Sequence, residues 1–222
     1  MYHPTDLMIY GAGGAGREIV WMLEQFPAES RYNICCFIDD SPEKQHTMVN
    51  DIQVFPLEEA LAKFPQASAV VGVGSPKCRK ILAEKLTAKG VSFATLMHPT
   101  VYWSAYNQCG EGSILQKYSA PTVNITIGRH VLINGMLTIG HDSVIGDYAT
   151  IGPGTRISGN TTIEEGAYIG AGAVIIGGSK ANPIVIGKWA VVGAAACVRK
   201  SVLPGQVVVG VPAQPKEERH KS

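Results

Sequence analysis

Apolar positions along this chain follow two different periods. In residues 1–97, short apolar runs alternate with segments of helical spacing. "LMIYGAGGAGREIVWMLEQ" reads as an apolar strand, a glycine-rich turn and an amphipathic helix on which Ile19, Met22, Leu23 and Phe26 recur. "YNICCFIDDSP" predicts a second buried strand that ends in carboxylates and a turn, and "VFPLEEALAKF" a short helix. "ASAVVGVGSP" predicts a third strand, "KCRKILAEKLTAKG" a helix ended by Gly90, and "SFATLMHP" a further strand. The order β-α-β-α-β predicts a Rossmann-like α/β domain with a small, doubly wound parallel sheet.

From residue 98 the period changes to six. Isoleucine stands at 127, 133, 139, 145, 151, 157, 163, 169 and 175, and glycine follows it at 128, 140, 146, 152 and 170. The beat extends weakly upstream through Leu115 and Cys109. It breaks at "GGSKANP" (177–183) and resumes at Ile186, Val192 and Val198. Six fits neither a helix nor a plain alternating strand. It fits short strands separated by turns, each strand sending a side chain inward. Three hexads close one triangular coil, and coils stack about 4.8 Å apart by β-pairing. This is the hexapeptide-repeat, parallel β-helix signature. The predicted organisation is an α/β domain over 1–97, an all-β helix over 98–215 and a tail over 216–222. The polar 177–183 segment is expected to protrude, and long loops on repeat scaffolds build sites.

Composition narrows the class. The 222 residues carry a formal net charge of +1, and 45% are hydrophobic against 17% charged. No basic stripe points to nucleic acid or to a membrane surface. The five cysteines, at 35, 36, 78, 109 and 197, match no zinc or C-x-x-C spacing, and read as buried thiols of a reducing compartment. No leader precedes Leu7, and no apolar run reaches 18 residues, so the expected location is the cytoplasm.

Two places carry candidate chemistry. His141–Asp142 interrupts the repeat at one beat. Imidazole titrates near neutrality and suits proton removal from an attacking nucleophile. A carboxylate on its other nitrogen fixes the tautomer and stabilises the imidazolium. The plainer alternative is a surface histidine beside a turn aspartate. The second place is "GAGGAG", where Gly11, Gly13 and Gly16 satisfy G-x-G-x-x-G between strand and helix. Such a turn cradles a pyrophosphate on backbone amides, and Asp39 follows at a strand end, where a dinucleotide fold holds ribose. Against a dinucleotide enzyme, only one mononucleotide half is present. A tight turn that merely packs helix on strand is the other reading.

"YGAGGAGRE", "FIDD", "VGVGSPKCRK", "HP", "GHDSVIGD" and "VGVPA" together span nearly the whole chain. In this combination the sequence resembles the bacterial sugar N- and O-acyltransferases, which include acetyltransferases of the bacillosamine and perosamine type and sialic-acid O-acetyltransferases. The resemblance implies a nucleotide-sugar-binding α/β domain followed by a left-handed β-helix. It implies a homotrimer that binds acetyl-CoA in the groove between neighbouring β-helices and transfers the acetyl group directly to a sugar amine or hydroxyl, without a metal. His141 then matches the proposed general base, with Asp142 behind it. Gly13, Gly14, Asp39 and Asp40 match the nucleotide site, Gly74 is expected to line the same pocket, and Asn134 matches an asparagine near the acceptor sugar, with a stacked turn asparagine as the plainer alternative. The family holds CoA mostly through the backbone; Gly159, Gly170, Ala171 and Gly177 are expected to lie along the pantetheine arm because small residues let it come close, and Arg199 and Lys200 are expected to meet CoA phosphates, with simple solvation as the plainer alternative. The 177–183 loop would cover CoA or a neighbouring subunit. One departure is Gly14–Ala15–Gly16, where many relatives have Gly-His-Gly; Arg17 is the candidate substitute for that imidazole. Lys77, Arg79 and Lys80 read as a solvated helix face, and His98 as a structural turn.

The expected activity is therefore acetyl-CoA-dependent N-acetylation of a 4-amino-4,6-dideoxy sugar linked to UDP, dTDP or GDP. The alternative within the scaffold is O-acetylation of the sialic-acid type. A metal hydratase on the same coil needs three histidine ligands, and the repeats hold only His130 and His141. A non-catalytic nucleotide-sugar sensor is a further alternative.

Overall fold

The computed structural model describes residues 5–25 and 31–216. Phe26 and the tail beyond Lys216 lie outside the described residues. The α/β domain holds β1 (Thr5–Tyr10), α1 (Gly14–Glu24), β2 (Tyr32–Ile38), β3 (Met48–Val49), β4 (Ile52–Phe55), α2 (Leu57–Lys63), β5 (Ser68–Val71) and α3 (Pro76–Ala88). The sheet order is β3-β4-β2-β1-β5, parallel except for the β3–β4 hairpin. The hairpin is an addition to the predicted order. Its turn residues Asn50 and Asp51 have φ of 48° and 60°, a left-handed backbone that Asn and Asp tolerate best.

The "SFATLMHP" strand departs from expectation. Phe93 makes a single bridge to Ala69 of β5, and the next element, β6 (Leu96–Met97), pairs with Ile114–Leu115. The last predicted strand of the α/β domain is thus the first rung of the coil. Its alternation of buried side chains serves either sheet, so its sequence does not say which sheet it joins.

The coil is a three-faced prism of two- and three-residue strands in parallel register. Strands pair 18 residues apart, as in Thr126↔Val144, Leu132↔Thr150 and Thr138↔Arg156. Across the insertion the offset is 23 residues, as in Thr162↔Val185, and the last coil is shorter, pairing Val191↔Val207 at an offset of 16. The isoleucine ladder is fully inside. A second inner ladder lies two positions earlier, at Ile125, Val131, Leu137, Ala149, Ala167 and Ala173. Where that ladder is polar, the hydroxyl is satisfied by the neighbouring corner, as in Ser113 Oγ to the Gly128 carbonyl (2.8 Å) and Thr155 Oγ1 to the Gly152 carbonyl (2.7 Å).

The glycine after each isoleucine has a steric cause. At Gly140, Gly152 and Gly170 a Cβ would stand 2.4–2.6 Å from a backbone nitrogen of the next coil. Each corner also turns on one left-handed residue, among them Tyr118, Asn124, His130, Met136, Asp142, Tyr148 and Asn160.

The three faces are not equivalent. Outward residues of the face that begins at β6, Ile114, Leu132 and Thr150, are buried beneath the α/β domain, where they join Leu7, Ile19 and Val20. The matching outward residues of the other faces, Val144 and Val174, stay exposed. At the corner entering this covered face, α3 sets Lys80 over the rings of Tyr148 and Trp189, and its Nζ lies 2.8 Å from Glu165. At the corner leaving it, α1 sets Trp21 under Lys117 Nζ at 3.8 Å. The third corner, opposite the α/β domain, carries His141.

Candidate functional site

His141 and Asp142 occupy that third corner because the coil requires a left-handed residue there. Asp142 fills it with φ of 56°, a conformation its short polar side chain accepts. The turn brings Asp142 Oδ2 to 2.8 Å from His141 Nδ1, while Oδ1 accepts Asn124 Nδ2 at 3.0 Å. The hydrogen bond from His141, followed by that from Asn124, holds the Asp142 carboxyl below the usual carboxylate range. With Nδ1–H directed to a carboxylate, Nε2 is the nitrogen left to take a proton. Both side chains are about half exposed.

The same corner repeats in column below and above. Asn124, Asp142 and Asn160 are the left-handed residues of successive coils. Gly159 lies under the His141 ring, Gly177 opens the insertion one coil lower, and Arg199–Lys200 follow beneath. The insertion leaves the coil and returns at once. Gly178 N bonds the Gly159 carbonyl, and Ile184 N bonds the Asn160 carbonyl. Between them Ser179, Lys180 and Pro183 wall a cleft of about 570 Å³ whose other side is Asp142 and Asn160. Arg199 and Lys200 line a second cleft of about 560 Å³ with Leu203, Gln206 and Pro212.

Gly170 and Ala171 stand elsewhere, on the corner leaving the covered face. Gly170 is buried against Ala194, as the scaffold demands, and Ala171 is exposed. Asn134 is on that corner too. Its Nδ2 is committed to the Ile151 carbonyl at 2.9 Å, one coil away.

In the α/β domain, Gly11 and Gly16 are packing residues. A Cβ on Gly16 would stand 1.9 Å from the Gly11 carbonyl oxygen. At Gly13, Gly14 and Gly74 an added Cβ meets nothing within 4 Å, so these glycines border open space at the carboxyl edge of β1 and β5. Asp39 is buried at this edge. Burial alone would raise its carboxyl, but backbone N–H bonds from Ser41 (3.0 Å) and Ala12 (2.9 Å), with Lys44 at 3.0 Å, hold it below the usual range. Asp40 is more exposed and is engaged by Lys85 (2.7 Å) and Tyr10 Oη (2.6 Å). Arg17 is exposed on α1.

Other expectations need correction. Arg79 is buried, not solvated, because α3 packs on the coil there; Lys80 is paired with Glu165, and only Lys77 is exposed. Of the five cysteines, all free, Cys36 is buried and Cys78 is exposed on α3. His98 does make a turn, its Nδ1 2.7 Å from Thr100 Oγ1. The two repeat histidines are on different corners. His130 is buried between Tyr148, stacked at 5.3 Å, and Phe93, edge-on at 4.5 Å. Sequence reasoning passed over Asn124, Thr150 and Lys180. Asn124 was within reach, since it precedes Asp142 by the coil length of 18.

The family profile described as PglD N-terminal domain matches residues 6–86, and the bacterial transferase hexapeptide (six repeats) profile matches residues 124–159. No curated protein matches the sequence significantly. Among solved structures, WeeI from Acinetobacter baumannii AYE is 34% identical, with a TM-score of 0.86 over 96% of this chain and 100% of its own. The chain belongs to the bacterial sugar N- and O-acyltransferase family. It is an acyltransferase, and its coil is the left-handed β-helix of that family. Two further members are similar. The acetyltransferase domain of PglB from Neisseria gonorrhoeae FA1090, in complex with acetyl coenzyme A, is 26% identical, with a TM-score of 0.84 over 96% of this chain and 100% of its own. PerB from Caulobacter crescentus, in complex with CoA and GDP-perosamine, is 24% identical with a TM-score of 0.83 and covers 96% of this chain and 97% of its own; it shares the fold. Among the described residues, no helix of this family member is long and apolar enough to cross a membrane.

Proposed function

We propose that the chain transfers the acetyl group of acetyl-CoA to the 4-amino group of a nucleotide-linked 4-amino-4,6-dideoxy sugar. The observation that carries this reading is the His141–Asp142 pair, 2.8 Å apart, beside an open cleft on a sugar-acyltransferase scaffold. The amine attacks the thioester carbonyl carbon, and His141 Nε2 takes the proton it sheds. Asp142 keeps Nδ1 protonated and balances the imidazolium. The tetrahedral intermediate then expels CoA sulfur, which receives the proton back from His141. Acetyl-CoA is the co-substrate of this reading, as it is the ligand of the PglB domain.

The acceptor's nucleotide is assigned to the open edge at Gly13, Gly14 and Gly74, with Asp39 and Asp40 beside it. Within one chain this edge lies against the covered face, and His141 lies on the opposite corner. That separation favours a site shared between copies, and we assign a homotrimer in which one copy's α/β domain presents the sugar to a neighbour's His141. The same arrangement brings Gly170 and Ala171 of one copy's β-helix toward Gly159, Gly177, Arg199 and Lys200 of the next copy's, with the CoA arm between them. Acetylation of a sugar hydroxyl uses the same base and remains the second reading, because the half-exposed imidazole serves either nucleophile.

Thiol release from acetyl-CoA with a panel of UDP-, dTDP- and GDP-linked 4-amino sugars tests this directly, run with wild type and His141→Ala. Turnover with one nucleotide sugar, lowered about 10²- to 10⁴-fold in the variant, is expected. A protein that binds acetyl-CoA but acetylates only hydroxyl acceptors sinks the N-acetyl reading.

A further inference from the structure

Arg79 is 1% exposed, yet its guanidinium meets no carboxylate among the described residues. Its donors divide between two parts of the molecule. Nη1 bonds the carbonyls of Val73 (2.7 Å) and Gly74 (3.3 Å), in the loop after β5. Nε bonds the His130 carbonyl at 2.7 Å, and Nη2 bonds the Tyr148 and Ala149 carbonyls and Thr150 Oγ1, all on the coil. Thr150 Oγ1 donates in turn to the Gly74 carbonyl at 2.9 Å, which closes a ring of hydrogen bonds across the domain junction.

Holding the two domains together does not call for this arrangement. Ile114 and Leu132 already bury their side chains against the α/β domain. Taking a charge out of water is costly, and an apolar side chain of similar volume joins two surfaces at lower cost. Burial also lowers the Arg79 pKa to about 10, so the group stays charged at neutral pH. What a planar, five-donor fork does, and an apolar residue cannot, is fix the orientation of several carbonyls at once. Two of the carbonyls it fixes, those of Val73 and Gly74, belong to the loop whose outer face is open at Gly74, one strand from Gly13 and Gly14.

We propose that Arg79 is a positioning residue that locks the Val73–Gly74 loop to the coil, so that the acceptor-binding edge keeps one fixed height and angle relative to the prism. The inference rests on the reading of that edge as the acceptor's nucleotide site. It adds that alignment of acceptor with coil is set by backbone carbonyls gathered on one buried cation, and that Thr150 is its partner. Neither residue touches the reacting atoms.

The test uses the full-length protein and the variants Thr150→Val, Arg79→Lys and Arg79→Met, each first shown to fold by circular dichroism and to keep the wild-type oligomeric size. Hydrogen–deuterium exchange is followed in peptides covering residues 72–79, and KM is measured separately for acceptor and acetyl-CoA. Thr150→Val removes one hydroxyl and is the variant most certain to fold. It is expected to speed exchange across 72–76 and to raise the acceptor KM roughly tenfold, with acetyl-CoA KM within about twofold of wild type. Arg79→Lys is expected to recover part of the loss seen in Arg79→Met. Unchanged exchange at 72–76 in folded Thr150→Val and Arg79→Lys overturns the proposal. So does faster exchange with an unchanged acceptor KM, or an equal rise in both KM values. If the wild type uses no nucleotide-linked acceptor, the functional reading fails on its own, and the exchange data alone decide whether Arg79 and Thr150 lock the loop.

Discussion

The imidazole of His141 rests on the Cα of Gly159, one coil below, so closely that a Cβ there would stand 2.6 Å from Nε2 and 2.7 Å from Cε1. Gly159 is therefore a floor for the ring of the proposed base. Because the crowding atoms are the far end of a half-exposed side chain, Gly159→Ala lets the ring swing aside and leaves the coil intact. A misplacement of about 1 Å at a reacting group costs on the order of 10²-fold in rate. Gly159→Ala is accordingly expected to lower kcat by one to two orders of magnitude while the melting temperature stays near wild type. Wild-type kcat in a folded Gly159→Ala protein would show that the ring needs no such floor.

His130 makes stability depend on pH. Burial, followed by the nearby Arg129 and Arg79 charges, pushes its pKa down to about 4, and its Nδ1 has no hydrogen-bond partner among the described residues. The unfolded chain then binds a proton between its ordinary value of about 6.5 and 4 that the folded protein refuses. Stability is fully present above about pH 6.5 and is lost as pH falls toward 4, by about 3 kcal/mol from this group. His130→Phe keeps the stack with Tyr148 and Phe93 but cannot titrate. Denaturant midpoints at pH 7 and pH 4.5 are expected to converge in this variant relative to wild type, and an unaltered difference would refute the assignment.

The insertion is separable from the scaffold. The Gly178 Cβ position is 2.6 Å from Ile184 N, and the excess over a full coil is five residues. Deleting Ser179–Pro183 joins atoms that are already neighbours and restores the 18-residue offset. Thermal unfolding is expected within a few degrees of wild type. The cleft against Asp142 and Asn160 loses a wall, so the acetyl-CoA KM is expected to rise about tenfold or more. An unchanged KM would remove the loop from the co-substrate site.

A shared site predicts complementation. His141→Ala and Gly14→Val are each expected to be nearly inactive, the second because an open position beside the turn is filled. Mixed trimers formed by co-expression contain junctions with one intact His141 and one intact glycine edge. Activity above that of either parent is expected. Its absence, with mixed trimers shown by mass spectrometry, would place both halves of the site in one chain.

Much of this was legible in the residues. Nine isoleucines six apart dictate an inward side chain on every strand, and the glycine after them follows from the close stacking of coils at 140, 152 and 170. The offset of 18 between strands follows from three hexads per coil, and it would also have paired Asn124 with Asp142. His141–Asp142 stood out because a polar pair broke a monotonous beat. The second inner ladder was less visible, since it mixes Ala, Ser, Thr and Val with Ile and shows no single residue type.

The residue pattern alone decides which side chains face inward, because a strand repeat sets the phase of every residue along the chain. It could not determine which of three equivalent outer faces would be covered. Ile114 and Leu132 are buried while Val144 and Val174 are exposed, although each is an apolar residue one step before a beat. That choice was made by where the α/β domain lands after β6 joins the coil. The same contact turned Arg79 from a helix-surface cation into a buried clasp, since three of its partners are carbonyls of residues 51 to 70 positions away. A carbonyl is present at every residue, so its use as a partner leaves no mark in the sequence and emerges when the two domains pack.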